Sequence, residues 1–259
     1  MTESLAYSMR LAGVRSKQIA IAMAFVTSTL LISRLSNMFQ APLLGFMVDS
    51  AIIQNSNAAL LGLEQQFRII ILFAFFGSFM GAFLTPTAVY LFQKAIENFQ
   101  DTGSIPKLII RALKPKNFIK ILLSFRFPRF SSLKSISFKS IPKTFLMFNV
   151  FVTSIYVIGV LCSLLAGAYL PEYRSTAIQL SGIVNGMATI MFTIFVDPPG
   201  AIVTDQAVNQ QRSVNDVRSV VFFLQLGKML GILVFAQLFL WPFSKYIMFV
   251  TEFIKYTFN

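Results

Sequence analysis

A chain of 259 residues that is 56% hydrophobic and 12% charged, with a mean hydropathy of +0.70, lacks the polar surface of a soluble domain. Charged residues there make up about a quarter of the sequence. The absence of histidine excludes imidazole bases and His-ligated metals, and the single Cys162 excludes an internal disulfide. A net charge of +12 on so apolar a chain points to anionic lipid headgroups or an anionic substrate, not to nucleic acid.

In chain order, residues 1–14 read as the end of a first helix, apolar but short for a crossing. Glu3, Tyr7 and Arg10 fall on one face of it at i, i+4 and i+7. Glu3, Arg10, Arg15 and Lys17 interrupt the first twenty residues, which therefore lack the apolar run of a cleavable signal peptide. The stretch 18–53 is apolar but would run about 54 Å as one helix, well beyond a hydrocarbon core of about 30 Å. It is expected to break near Pro42 or Gly45. Segments 68–92, 146–170, 176–197 and 219–243 are each long enough to cross. The expected fold is all-α: one integral membrane domain over residues 1–259, a polytopic bundle of about six transmembrane helices.

The loop from Lys94 to Lys143 holds eleven of the 22 basic residues against only Glu97 and Asp101. Basic loops stay in the cytoplasm, so loop 94–143 is expected inside, with residues 54–67 and both termini outside. Residues 105–145 interleave Lys and Arg with Ile, Leu and Phe, as in F-I-K-I-L-L-S-F-R-F-P-R-F at 118–130. That pattern suits an amphipathic segment on anionic inner-leaflet lipids, and it is equally explained by charges that only set topology. Three G-x-x-x-G pairs, Gly77/Gly81, Gly182/Gly186 and Gly227/Gly231, predict close helix approach within or between chains.

A charge near the middle of a span costs about 2.5 to 3.5 kcal/mol on insertion scales, so it faces a cavity or a partner. Lys228 sits in the middle of the last span, and Arg34 lies in L-L-I-S-R-L-S-N-M-F-Q-A-P at 30–42, followed by Asn37 and Gln40. The fifth span ends in F-V-D-P-P-G, with Asp197 before two prolines and Asp205 beyond them. Asp205, Asn209, Arg212 and Asp216 then recur at helical spacing as one polar stripe. Two readings stay open: capping carboxylates and helix-locking ion pairs, or an internal cavity with excess positive charge. In the second, Arg10, Arg34, Asn37, Gln40 and Lys228 bind a phosphate-bearing headgroup or an anion. Glu3, Asp49, Asp197 and Asp205 then serve as ion-pairing or coupling carboxylates. No metal cluster, nucleotide loop or nucleophile–base pair is visible, so neither a cofactor nor an enzyme is expected.

The runs S-L-A-Y-S-M-R-L-A-G-V-R (4–15), S-R-L-S-N-M-F-Q-A-P-L (33–43) and V-D-P-P-G-A-I-V-T-D-Q-A (196–207) resemble the alternate lipid II flippase family, Amj. The likeness extends over most of the chain, including the basic central loop. It implies a protein of the bacterial cytoplasmic membrane that moves lipid II, the undecaprenyl-diphosphate-linked peptidoglycan precursor, from the inner to the outer leaflet without hydrolysing ATP. A membrane scaffold or envelope assembly factor, and a small-anion transporter, remain the alternatives that the residues alone allow.

Overall fold

The computed structural model of the chain describes residues 2–128, 136–138 and 141–258. The helices in order are α1 (Thr2–Ser16), α2 (Ile19–Gln54), α3 (Asn57–Phe83), α4 (Thr85–Thr102), α5 (Ile105–Leu113) and α6 (Pro115–Leu123). They continue with α7 (Lys143–Tyr169), α8 (Arg174–Gln179), α9 (Ser181–Met191), α10 (Asp197–Val208), α11 (Val214–Leu230) and α12 (Gln237–Phe258). A 3₁₀ turn, Pro171–Tyr173, precedes α8. Single π turns join α9 to α10 (Phe192–Val196) and α11 to α12 (Gly231–Ala236). Among the described residues, five helical stretches are long and apolar enough to cross a membrane: Ile19–Gln54, Asn57–Phe83, Lys143–Tyr169, Pro171–Val208 and Val214–Phe258. The chain is an all-α, multi-pass membrane protein, and the 15-residue α1 is shorter than these five and not among them.

Several boundaries differ from the sequence expectation for physical reasons. The break near Pro42 or Gly45 is absent, and α2 runs unbroken through Pro42. Proline removes one backbone donor, whereas unwinding the helix in an apolar setting would free several donors and acceptors at once. Segment 68–92 divides: α3 begins earlier, at Asn57, and ends at Phe83, and α4 starts anew with Pro86 in its first turn. The prolines after Asp197 do not end the helix either. The Asp197 N–H donates to Phe192 O, five residues back, and this wider turn precedes the two positions that lack a donor. The stripe Asp205–Asn209–Arg212–Asp216 is not on one helix, because α10 ends at Val208 and Gln210 adopts a positive φ of 60°. Asp216 instead closes a capping box at the start of α11. The Ser213 N–H donates to Asp216 Oδ2 (3.2 Å) and the Asp216 N–H to Ser213 Oγ (3.3 Å).

The chain forms two compact units. The first comprises Met1–Arg34, Gly77–Lys143 and Pro198–Leu226. Its centre is α1, which is buried on most sides although only weakly apolar: Ser4, Ser8, Met9, Arg10 and Ala12 are all covered. The α1–α2 corner is tight, since a Cβ on Gly13 would stand 2.6 Å from Ala22 Cβ. Gln225 on α11 ties three helices together, donating to Ser4 O (3.1 Å) on α1 and to Thr85 Oγ1 (2.7 Å) on α4.

The second unit comprises Leu35–Phe76, Thr144–Asp197 and Gly227–Asn259. Its core is α7, apolar around most of its circumference, with Val152, Ile158, Cys162 and Leu165 fully enclosed. Gly227 and Gly231 press against it: a Cβ on Gly231 would lie 2.6 Å from both Val150 O and Thr153 Oγ1. The Gly227/Gly231 pair thus makes the close approach expected of it. Gly182 and Gly186 face open space, with no neighbour within 4 Å of a would-be Cβ.

Candidate functional site

Arg10 is a buried cation of the first unit, 9% exposed, and its room comes from the D-P-P-G run. The guanidinium lies against Gly200 on α10, where any Cβ would overlap it. A Cβ at 200 would stand 2.4 Å from Nη1, so the guanidinium, at the end of a flexible side chain, would have to move aside. Glu3, on the same helix, is exposed, and Asp205 is exposed on α10, where its carboxylate accepts from Asn209 Nδ2 at 3.3 Å. Mid-helix placement means that Asp205 caps nothing.

Arg34, Asn37 and Gln40 share one setting, on a stretch of α2 whose ten residues from Arg34 to Leu43 are all exposed. The helix there is apolar apart from Arg34, Ser36, Asn37 and Gln40, and Arg34 makes no ion pair with a described carboxylate. Lys228 is the buried cation of the second unit, 5% exposed, between Gly227 and the π turn at Gly231–Ala236. Asp197, half-buried, opens α10 directly after the other π turn. Such turns are frequent at functional sites, because the extra residue displaces the helix face beyond them.

Asp49 has a defined partner: its Oδ1 accepts from Arg174 Nη1 on α8, an ion pair that fastens α2 to the turn after α7. Arg174 escapes notice in the sequence because nothing local relates it to residue 49. A second polar clamp, also missed, joins α3 to the last long helix. Arg68 pairs with Glu64 (2.7 Å) and donates to Gln237 O (2.8 Å), while Gln237 Nε2 donates back to Arg68 O (2.9 Å). The Glu-to-Arg spacing of four residues was its available signal. A cavity of about 440 Å³ between α2 and α3 is lined by Ser50, Gln54, Ser56 and Gln66 among apolar neighbours, and contains none of the expected binding residues.

The family model described as Amj, Alternate to MurJ, matches residues 1–251. The chain belongs to the Amj family. A curated relative named Lipid II flippase Amj, from Bacillus subtilis (strain 168), is 34% identical over 251 residues, which cover 96% of this chain and 91% of that protein. No solved structure matches the chain. Membership extends over both units of this Amj-family protein, so the exposed run on α2 and the glycine beside Arg10 both lie within the matched region.

Proposed function

We propose that this chain is a lipid II flippase, moving the undecaprenyl-diphosphate-linked precursor from the inner to the outer leaflet of the bacterial cytoplasmic membrane. The observation that carries this reading is the near full-length similarity to a protein named for that activity. Loop 94–143 faces the cytoplasm and both termini face outward, as its eleven basic residues favour. The exposed apolar faces of α5 and α6, with Ile109, Ile110, Leu113, Phe118 and Ile119, rest on anionic inner-leaflet lipid.

Substrate contact falls to Arg34, Asn37 and Gln40 on the exposed run of α2, and to the buried cations Arg10 and Lys228. An arginine uncovered in the middle of an apolar helix is costly in hydrocarbon and inexpensive beside a diphosphate, whose oxygens match its planar fork. Glu3, Asp197 and Asp205 balance or couple these charges, and Asp49 anchors α2 through Arg174. The two π turns, beside Lys228 and Asp197, provide the flexible points that an alternating-access cycle needs, in place of a break at Pro42.

The test is rescue of a bacterium depleted of its other lipid II flippases, with labelled lipid II followed in liposomes. Arg34→Ala and Lys228→Met are expected to lose rescue and translocation at normal expression. Full activity in both variants overturns the cationic contacts, and wild-type protein that moves small anions but not lipid II overturns the flippase. One observation favours a scaffold: Gly182 and Gly186 leave an uncovered small-residue face on α9. That reading requires Gly182→Leu to abolish rescue while Arg34→Ala keeps it.

A further inference from the structure

Tyr90, on α4 beyond the long spans, holds two cations against one ring. The Lys94 ammonium lies 4.7 Å and the Arg126 guanidinium carbon 3.7 Å from its centroid. Tyr90 and Lys94 are one turn apart on the same helix face, whereas Arg126 arrives from the basic loop. Its placement there is firmly determined. The Arg126 N–H donates to Thr87 Oγ1 at 2.9 Å, and the Thr87 hydroxyl donates to Arg126 O at 3.2 Å. On either side, Phe125 and Phe127 meet each other edge-on at 4.9 Å and both meet Phe83, at 6.3 and 6.1 Å. The backbone of residues 125–127 is thus docked on α4, while the side chains of Lys94 and Arg126 stay exposed.

Each cation gains a cation–π contact from the ring, but two like charges gathered at one ring also repel each other. Neither cation forms an ion pair with a described carboxylate. Arg15, at the end of α1, belongs to the same positive field: desolvation, then the charges of Arg218 and Arg126, lower its pKa from the ordinary arginine value. The hydrogen bond from Lys94 lowers that of the Tyr90 phenol against the opposing effect of desolvation. All the charges acting on both groups are positive. An anion held by these exposed cations would gain charge-assisted bonds, with the arginine fork and the phenol supplying directional donors.

We propose that Lys94, Arg126 and Tyr90 form a phosphate-binding site on the first unit, separate from Arg34 and Lys228, for a diphosphate-bearing ligand. Its assignment to the headgroup of a polyprenyl diphosphate rests on the flippase reading; a free diphosphate offers the same chemistry. The full chain in nanodiscs is titrated with undecaprenyl diphosphate and, separately, with inorganic diphosphate. Wild type is compared with the Lys94→Gln/Arg126→Gln double variant, with Tyr90→Phe, and with Lys94→Arg.

The wild type binds the lipid saturably, the double variant binds it about tenfold or more weakly, and Lys94→Arg keeps most of the affinity. Equal affinity for inorganic diphosphate assigns the site to the phosphates alone, and tighter lipid binding assigns it to the lipid-borne headgroup. Both altered cations are exposed, so thermal unfolding of the double variant stays at the wild-type temperature. Tyr90→Phe keeps the ring and gives a weaker loss should that temperature drop. Unchanged affinity in the double variant, or no saturable binding of either probe by wild type, overturns the site. Intact rescue of flippase-depleted cells alongside that result leaves the flippase reading standing, and failed rescue by the wild type overturns the flippase reading alone.

Discussion

Among the described residues each unit encloses one cation, Arg10 in the first and Lys228 in the second, but the balance of hydrogen bonds between and within helices differs. In the first unit several hydrogen bonds run between elements, Gln225 to Ser4 and Thr85, Thr87 to Arg126, and Ser137 N–H to Ser219 Oγ at 3.0 Å, beside hydroxyls such as Ser8 and Thr204 that turn back on their own helix. In the second, buried hydroxyls turn back on their own helix, Thr153 to Asn149 O, Ser163 to Gly159 O, Ser244 to Leu240 O and Thr251 to Ile247 O. Cross-helix cohesion there comes mainly from apolar packing around α7, with two charged clamps and the Tyr156 hydroxyl bond to Thr189 Oγ1 (2.7 Å) between α7 and α9. A weakly apolar helix such as α1 can be buried only where its neighbours supply partners, whereas α7 needs neighbours of matching shape.

The strongest way to break this contrast is Gly231→Leu. The side chain would collide with Val150 O and Thr153 Oγ1 on a helix enclosed on most sides, so about 3 kcal/mol or more of stability is expected to be lost. Thermal unfolding in detergent and the yield of monodisperse protein would record it, and a wild-type melting curve would refute packing control of the second unit. Next in size is Gln225→Leu, which removes two bonds joining α1, α4 and α11 and leaves Ser4 O and Thr85 to find other partners. A loss of about 1 to 2 kcal/mol is expected, with faster amide exchange in α1 than in α7. Uniform exchange in both helices would erase the distinction. Ser244→Ala should have the smallest effect, under about 1 kcal/mol, because its hydroxyl serves only its own helix. A loss equal to that of Gln225→Leu would show that both units depend on hydrogen bonds alike.

Hydropathy sufficed for the class of fold and for the approximate places of the long helices, because a run of apolar residues is a local property. Helix ends were less legible. Pro42 suggested a break because proline costs a hydrogen bond, yet the alternative of exposed backbone in an apolar setting costs more. The recurrence of Asp205, Asn209, Arg212 and Asp216 imitated a helix face, while the shorter signal Ser213-x-x-Asp216 marked the real start of α11. Among the candidate site residues, burial of Arg10 and Lys228 followed from their surroundings. The exposure of Arg34, Asn37 and Gln40 did not, since it depends on which other helices lie alongside α2. The partnership of Asp49 with Arg174 and the docking of Arg126 on Tyr90 join residues far apart in the chain, and no local pattern encodes either.

Gly200 gives the Arg10 guanidinium its space by having no side chain. A side chain at 200 would compete with the guanidinium for that space, although 190 positions separate the two in the sequence. In a library randomised at both, alanine or serine at 200 should be enriched beside a shortened residue 10 relative to arginine. The order of change is therefore directional: shortening residue 10 first frees the space, and a side chain at 200 then enters it without displacing a charge.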